Sequence, residues 1–370
     1  MTPRGPLTPL AEMTIVDVWR ELAARVSLAR AVGPITSWKA LRDDLASAHV
    51  RVTRRRDVAD AIWTEAAAEV GASLTTLAPG FFEIRKDEKA TRVIRERVML
   101  NDAVSIEIAE DKRLSRRLIA ESGIPVPDWC EFDARDARRG YEFLARQKPP
   151  FVVKPATASG GKGITTNVRL PAELRRAVIT AARWDSQLML EQQAEGDVYR
   201  LLVLDGEVVD LVRRLRPRLT GDGESTISEL LLAENRRRLA DPSSFVGLPL
   251  DLDCLLTLKA QGLGLRSVPS RGATFTVRTV TNHNGEMENE TVDDSISEEL
   301  QADAASAAEI LGLRLAALDI VTQDIHSGLR ESAGVVLEVN PVPALHHHYR
   351  VADRLHATKV AVPILRSLLE

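Results

Sequence analysis

Between residues 111 and 340 short apolar runs alternate with longer stretches that carry helix caps, and this interleaving decides the class of fold the chain can adopt. Tyr199 to Leu204 and Glu207 to Arg214 are β-rich and are joined across Asp205-Gly206. Both turn residues accept positive φ, so the pair reads as an antiparallel hairpin. Thr226 with Glu229 forms a capping box that predicts a helix over 227–239. Ser295 with Glu298 predicts another, ending at Gly312. A further helix is expected from Asp111 to Gly123, with Leu114, Leu118 and Ile119 on one side and Pro125 and Pro127 preventing its continuation. Apolar strands are expected at 151–154, 188–191, 316–321 and 335–339, the last two separated by a polar, hairpin-like link. Nearer the start, residues 1–12 are Pro-rich and loose, and 14–70 read as helical with Ile15, Val18, Trp19 and Leu22 on one face. Residues 80–108 lack strong turn signals and end in the alternating run Ala103 to Ile108. The class is α/β or α+β with mixed sheets, and there is no internal repeat.

A chain of 370 residues suits two or three packed units. With 44% hydrophobic and 28% charged residues it can build a large core, which excludes wholesale disorder. A net charge of −4 gives no global reason to bind nucleic acid or an anionic membrane. No run approaches the roughly 18 apolar residues of a membrane helix, and no apolar segment typical of a secretion signal follows the first residues. Cys130 and Cys254 form neither a metal spacing nor a disulfide framework, so a reducing, cytoplasmic location is expected. Arg51, Arg54, Arg55 and Arg56 read as a solvated face or a link between elements.

Three places carry residues suited to chemistry. Asp319 lies within the apolar run Leu318-Asp319-Ile320-Val321, and Glu338 within Val336 to Asn340. A charge there costs free energy unless it is paired or meets a cation. Glu338 and Asn340 are two apart and leave a strand on the same face, so with Asp319 they offer hard oxygen ligands suited to Mg²⁺. A strand-end acid paired with a nearby arginine is the alternative. The loop Ala158-Ser159-Gly160-Gly161-Lys162-Gly163 lets backbone N–H groups turn toward an anion, although it matches neither a Walker loop nor a dinucleotide fingerprint. Lys154, at the end of the strand before that loop, can address the same phosphates. Glu191, Gln192, Gln193 and Ala194 end another strand and offer edge hydrogen bonds to a planar base.

In this order the lysine-bearing strand, glycine loop, acidic strand end and late Asp…Glu-x-Asn set resemble the ATP-grasp fold. More narrowly, the chain resembles the ATP-grasp portions of cyanophycin synthetase and of bifunctional glutathione synthetases over roughly residues 63–350. Asn101 to Lys112, Gly123 to Pro127, Val152 to Asn167, Tyr199 to Val203, Thr220 to Ile227 and Glu338 to Pro341 carry the resemblance, with Gly221-Asp-Gly-Glu-Ser-Thr226 its most specific piece.

The resemblance implies an α/β (α+β) ATP-grasp fold, with two α+β subdomains clamping ATP behind a small, mostly helical N-terminal region. The corresponding segments are 1–109, a lid at 110–196, and a metal-bearing C-terminal subdomain at 197–370. Lys112 and Lys154 would hold ATP phosphates, and Gly160, Gly161, Lys162 and Gly163 would close over them. Glu191 and the backbone through Ala194 would contact adenine. Asp319, Glu338 and Asn340 would bind two Mg²⁺ ions, with Mn²⁺ as an alternative, while Arg200 and Arg214 would face the acyl phosphate or the carboxylate being activated. The implied reaction is amide formation between small amino-acid-like or short-peptide substrates through an acyl phosphate, by a stand-alone enzyme of specialised metabolism. A peptide or protein terminus as acceptor, and a non-catalytic ATP-binding partner, are the other readings. Self-association, with a dimer favoured, is also implied, and the N-terminal helices could supply its interface.

Two stretches depart from the pattern. Relatives carry a ribose-binding carboxylate directly before the Tyr-Arg pair; here Val198 stands there, with Asp197 one residue earlier, so either a local bulge restores the contact or the ribose is held differently. Thr281 to Gly285 also differs, close to where substrates are expected. His346, His347 and His348 follow the second acidic strand; on an extended chain they cannot all face one ion, and a loop lining the amine pocket or a solvated loop are the readings left open. Lys259 and Arg278 resemble residues of the same subgroup without an assigned role.

Overall fold

The computed structural model describes residues 54–241, 247–282, 284–292 and 296–370. The expected helical stretch at 14–53, with Arg51, lies outside them, as do His283 and Ser295. Helix α1 covers 54–69 and packs on an antiparallel sheet of β1 (Ser73–Ala78), β2 (Phe81–Lys86) and β3 (Lys89–Ile94). The described N-terminal part is therefore mixed rather than mostly helical. The alternating run at 103–108 belongs to helix α2 (Ala103–Glu110), because the Asp102 carboxylate accepts hydrogen bonds from the Val104 and Ser105 amides and nucleates a turn. Asp111 does the same for α3 (Lys112–Glu121), which ends at Gly123 with φ of 86°.

The next sheet has the order β4-β7-β5-β6, formed by β4 (Trp129–Asp133), β5 (Phe151–Pro155), β6 (Thr165–Val168) and β7 (Gln187–Gln192). Its pairings are antiparallel. Helices α4 (Arg138–Arg146) and α5 (Pro171–Ala181) accompany it, and Phe151, Val153, Leu174 and Leu190 form its core. The expected hairpin is present as β8 (Asp197–Leu204) and β9 (Glu207–Arg214), with positive φ at both Asp205 and Gly206. Strand β10 (Arg218–Thr220), helices α6 (Ile227–Ala240) and α7 (Leu252–Ala260), and strand β11 (Thr274–Thr276) contribute to a smaller core around Ile227, Leu231 and Leu258. Thr226 and Glu229 form the predicted capping box. Strand β12 (Asn289–Thr291), helix α8 (Glu298–Ile310), and strands β13 (Leu315–Thr322) and β14 (Val335–Asn340) follow. Helix α8 is capped by Ser297, two residues after the expected start, because the Ser297 side chain accepts from the Leu300 amide. The chain closes with the short helix α9 (His346–Tyr349) and with α10 (Ala361–Leu369).

A five-stranded sheet, β12-β9-β8-β13-β14, organises the site. Its recorded pairings are antiparallel, in place of the mixed sheets expected, which makes the class α+β. Every residue of β13 is buried. One face, with Leu201, Val203, Ala316 and Leu318, packs on α8 and on Ile119 of α3. The segment expected as the lid, 110–196, is thus shared between two cores. On the other face Leu202, Leu204 and Ala317 meet Trp63 of α1 and Ile364 and Leu365 of α10. Farther along the strands that same face becomes charged.

Candidate functional site

Strand register brings the predicted carboxylates and arginines together. Asp319 pairs with Arg200 on β8 and with Glu338 on β14, and Ala317 pairs with Asn340. Val198 pairs with Arg214, so Arg200, Arg214, Asp319, Glu338 and Asn340 share one face by alternation. The Arg200 guanidinium grips Asp319 with two bonds, of 2.8 and 2.7 Å, and Arg214 lies 3.5 Å from the same carboxylate. Burial alone would raise the Asp319 carboxyl, yet these two cations bring it below its ordinary range. For Arg214, burial and the neighbouring Arg200 together pull the guanidinium down to about 10.

The lysines approach from α3 and β5. Lys112 Nζ lies 3.1 Å from Glu338 and donates to the Ala158 carbonyl at 2.6 Å. Lys154 Nζ lies 2.8 Å from Glu191, and burial lowers its pKa to about 8 despite that partner. Glu191 also meets Arg116 at 2.9 Å, and both Arg116 and Lys154 donate to the Leu337 carbonyl, at 2.7 and 3.5 Å. Three cations thus tie α3 and β5 to residues 337–338 of β14. Sequence reasoning missed Arg116, although it stands four residues after Lys112 and so shares its helix face.

The glycine loop follows β5. Gly160, Gly161 and Gly163 have φ of 68°, 72° and 72°, in the left-handed region. A Cβ on Gly161 would lie 2.8 Å from that of Asn282, which places the divergent 281–285 stretch against the loop. Lys162 sits 5.0 Å from the Trp184 ring centroid.

Other predicted positions have different neighbours. The Glu191 carboxylate is held between Lys154 and Arg116, while the Gln192 and Gln193 amides donate to Asp128 and Pro150 carbonyls and the Gln193 side chain accepts from the Asn167 amide. Ala194 lies in the non-helical, non-strand segment after β7. Asp197 pairs with Arg213 at 2.7 Å. The β8–β13 register runs unbroken from Asp197 to Leu204, so no bulge turns Asp197 around, and it stays on the sheet face opposite Arg200. Thr220 to Ile227 forms a turn: Asp222 accepts from the Glu224 and Ser225 amides, and Gly221 packs against the Ser270 carbonyl, where a Cβ would sit at 2.5 Å. Lys259 makes an ion pair with Glu173. Arg278 is buried against Asp251 at 2.6 Å. Arg54 donates to the Leu239 and Asp241 carbonyls, and Arg55 binds Glu96, so these two link elements.

The three histidines are helical rather than extended, and α9 sends them apart. His346 Nδ1 lies 3.0 Å from Glu96 and His348 Nδ1 2.5 Å from Asp210.

Residues 118–219 match the family model described as the D-ala D-ala ligase C-terminus. Cyanophycin synthetase of Trichormus variabilis is 32% identical over 254 residues, 66% of this chain. The chain carries an ATP-grasp domain of the D-Ala-D-Ala ligase C-terminal type. The bifunctional glutathione biosynthesis protein GshAB of Clostridium perfringens is 28% identical over 76% of this chain. The ATP-grasp chain spans only 27% of the first relative and 37% of the second. A bifunctional glutathione synthetase structure from Pasteurella multocida aligns with a TM-score of 0.47 and 21% identity, covering 80% of this chain and 42% of that one. No described helix is long and apolar enough to cross a membrane.

The donor set fits the Mg²⁺ that ATP-grasp ligases use. Asp319 and Glu338 face each other across neighbouring strands, and Asn340 gives its Nδ2 to the Ala317 carbonyl, which leaves Oδ1 as its remaining polar atom. Bound there, the ion would neutralise phosphate charge.

Proposed function

We propose that the chain is an ADP-forming carboxylate–amine ligase that activates a small amino-acid-like acid as its acyl phosphate and passes the acyl group to an amine. The single observation that carries this reading is the shared face of Arg200, Arg214, Asp319, Glu338 and Asn340, with Lys112 and Lys154 reaching its edge. Phosphoryl transfer needs alignment and charge stabilisation more than a covalent protein group. Lys112 and Lys154 are placed to meet phosphate oxygens once ATP displaces their carboxylate partners. Arg200 and Arg214 meet the donor carboxylate and the acyl phosphate made from it. Asp319, Glu338 and Asn340 hold Mg²⁺. Specialised metabolism is the setting proposed for this activity, and a homodimer the assembly.

The test is ADP release with Mg²⁺ and ATP across the twenty amino acids, singly and in pairs, with hydroxylamine as trap. One acid that elicits both ADP and hydroxamate supports acyl-phosphate chemistry, and stimulation by a second names the acceptor. Silence across the panel, with ATP bound, counts against this substrate class.

Lys154 gives the site a pH dependence. With its pKa at about 8, its charge is present at pH 7 and lost as pH rises past that value. The Michaelis constant for ATP is expected to climb above that pH in the wild type. In Lys154→Arg, whose guanidinium remains charged, the climb should vanish. Steady-state kinetics from pH 6.5 to pH 9.5 on both proteins distinguishes these outcomes.

A further inference from the structure

Amide formation leaves one proton to be removed from the amine. The groups described above do not provide for it: the arginines and lysines are cationic, and Asp319 and Glu338 are held by cations. Helix α9 supplies another group. His346 and His348 are buried and face Glu96 and Asp210, whereas His347 between them is half-buried. Its ring centroid lies 4.2 Å from that of His346, and among the described residues neither ring nitrogen is hydrogen-bonded. Asp210, which anchors His348, pairs with Leu202 and so lies on the sheet face of Arg200 and Arg214, which sets α9 over that face; Arg214, Arg200, His346 and His348 act electrostatically on His347. The nearby carboxylates are engaged elsewhere: Glu96 by Arg55 and His346, Asp210 by His348, and Asp319 by the two arginines. Burial and the cationic neighbours hold this imidazole well below its ordinary range, so it is neutral at pH 7 and able to accept a proton.

We propose that His347 is the general base for the incoming amine. The assignment rests on the ligase reading above. The amine nitrogen attacks the acyl carbon, the carbon–oxygen bond to phosphate breaks, and its electron pair leaves with the phosphate. The N–H proton passes to a ring nitrogen of His347, which then returns it to the phosphate or to solvent. Before substrate binds, the Arg200 and Arg214 charges oppose protonation of the ring. An anionic acyl phosphate lying against those guanidiniums offsets their field, so the proton affinity of His347 rises at the stage that needs a base.

The test compares wild type with His347→Gln, using Mg²⁺, ATP, the donor acid found in the panel, and two kinds of nucleophile. Hydroxylamine is weakly basic and reacts without a general base; each of the twenty amino acids in turn serves as the base-requiring amine. In the variant, amide formation should fall by about 10²-fold while hydroxamate formation changes by less than about three-fold. The acidic limb of the wild-type amide pH profile should disappear in the variant. Added imidazole should restore part of the amide rate in His347→Gly. Equal loss with both nucleophiles, no loss with either, or an unchanged acidic limb overturns the assignment. A wild-type enzyme that makes neither ADP nor hydroxamate overturns the ligase reading, and the base with it.

Discussion

Replacing Asp319 by Asn is expected to destabilise the folded chain by about 3 kcal/mol, because the change removes the charge partner of two buried guanidiniums. Arg200 and Arg214 are 5% and 2% exposed, and Asp319 is the carboxylate that both contact. Neither arginine can shed its charge at neutral pH, so each would stay cationic in a buried site beside the other. Their mutual repulsion, now masked by Asp319, would be unopposed. The pair is also a pH device. The folded-state carboxyl of Asp319 is lowered, so its stabilisation is fully present above the ordinary carboxylate range and is lost as pH falls through that lowered value. Denaturant titration at pH 7 and at acid pH checks both parts: the variant should lose midpoint at pH 7, and the gap should close in acid. A midpoint equal to that of wild type at pH 7 would show that the arginines find another counter-charge.

Glu338→Gln separates fold from function in the opposite sense. Glu338 is 22% exposed at the side chain, and its partner Lys112 keeps a second acceptor in the Ala158 carbonyl. Loss of this charge should leave the thermal midpoint close to that of wild type. Turnover should fall by about 10³-fold, since one of the two carboxylates that would hold Mg²⁺ against the phosphates loses its charge. An unchanged rate in the hydroxamate assay would remove Glu338 from the metal set. The contrast arises because Asp319 lies in the fully buried strand β13, whereas Glu338 lies in β14 at the sheet's edge.

Much of the site was legible in the sequence because its signals are local. Two residues of separation put Glu338 and Asn340 on one strand face. The Asp205-Gly206 turn folded the hairpin that carries Arg200 and Arg214, but a one-residue bulge where the pairing passes from Val203–Val208 to Leu202–Asp210, with no signal in the sequence, brought the two arginines onto one face. The Asp111 and Thr226 caps started helices where expected. Local alternation misled at 103–108, where a cap two bonds strong prevailed over a six-residue pattern. In the N-terminal sheet β1 is mostly exposed, while the alternation of Phe82 and Ile84 in β2 and of Thr91 and Val93 in β3 was a local signal that sequence reasoning missed.

Local pattern was enough to mark which runs are strands, where helices begin, and that Glu338 and Asn340 leave β14 on one face. Which charges meet depended on contacts far apart in the chain. Arg200 and Asp319 are 119 residues apart, and Lys154 and Leu337 are 183 apart. Such partners are chosen by sheet order and packing, which depend on closing long loops and burying whole faces at once. The same global choice placed Glu191 between two cations and drew His346 to Glu96 and His348 to Asp210.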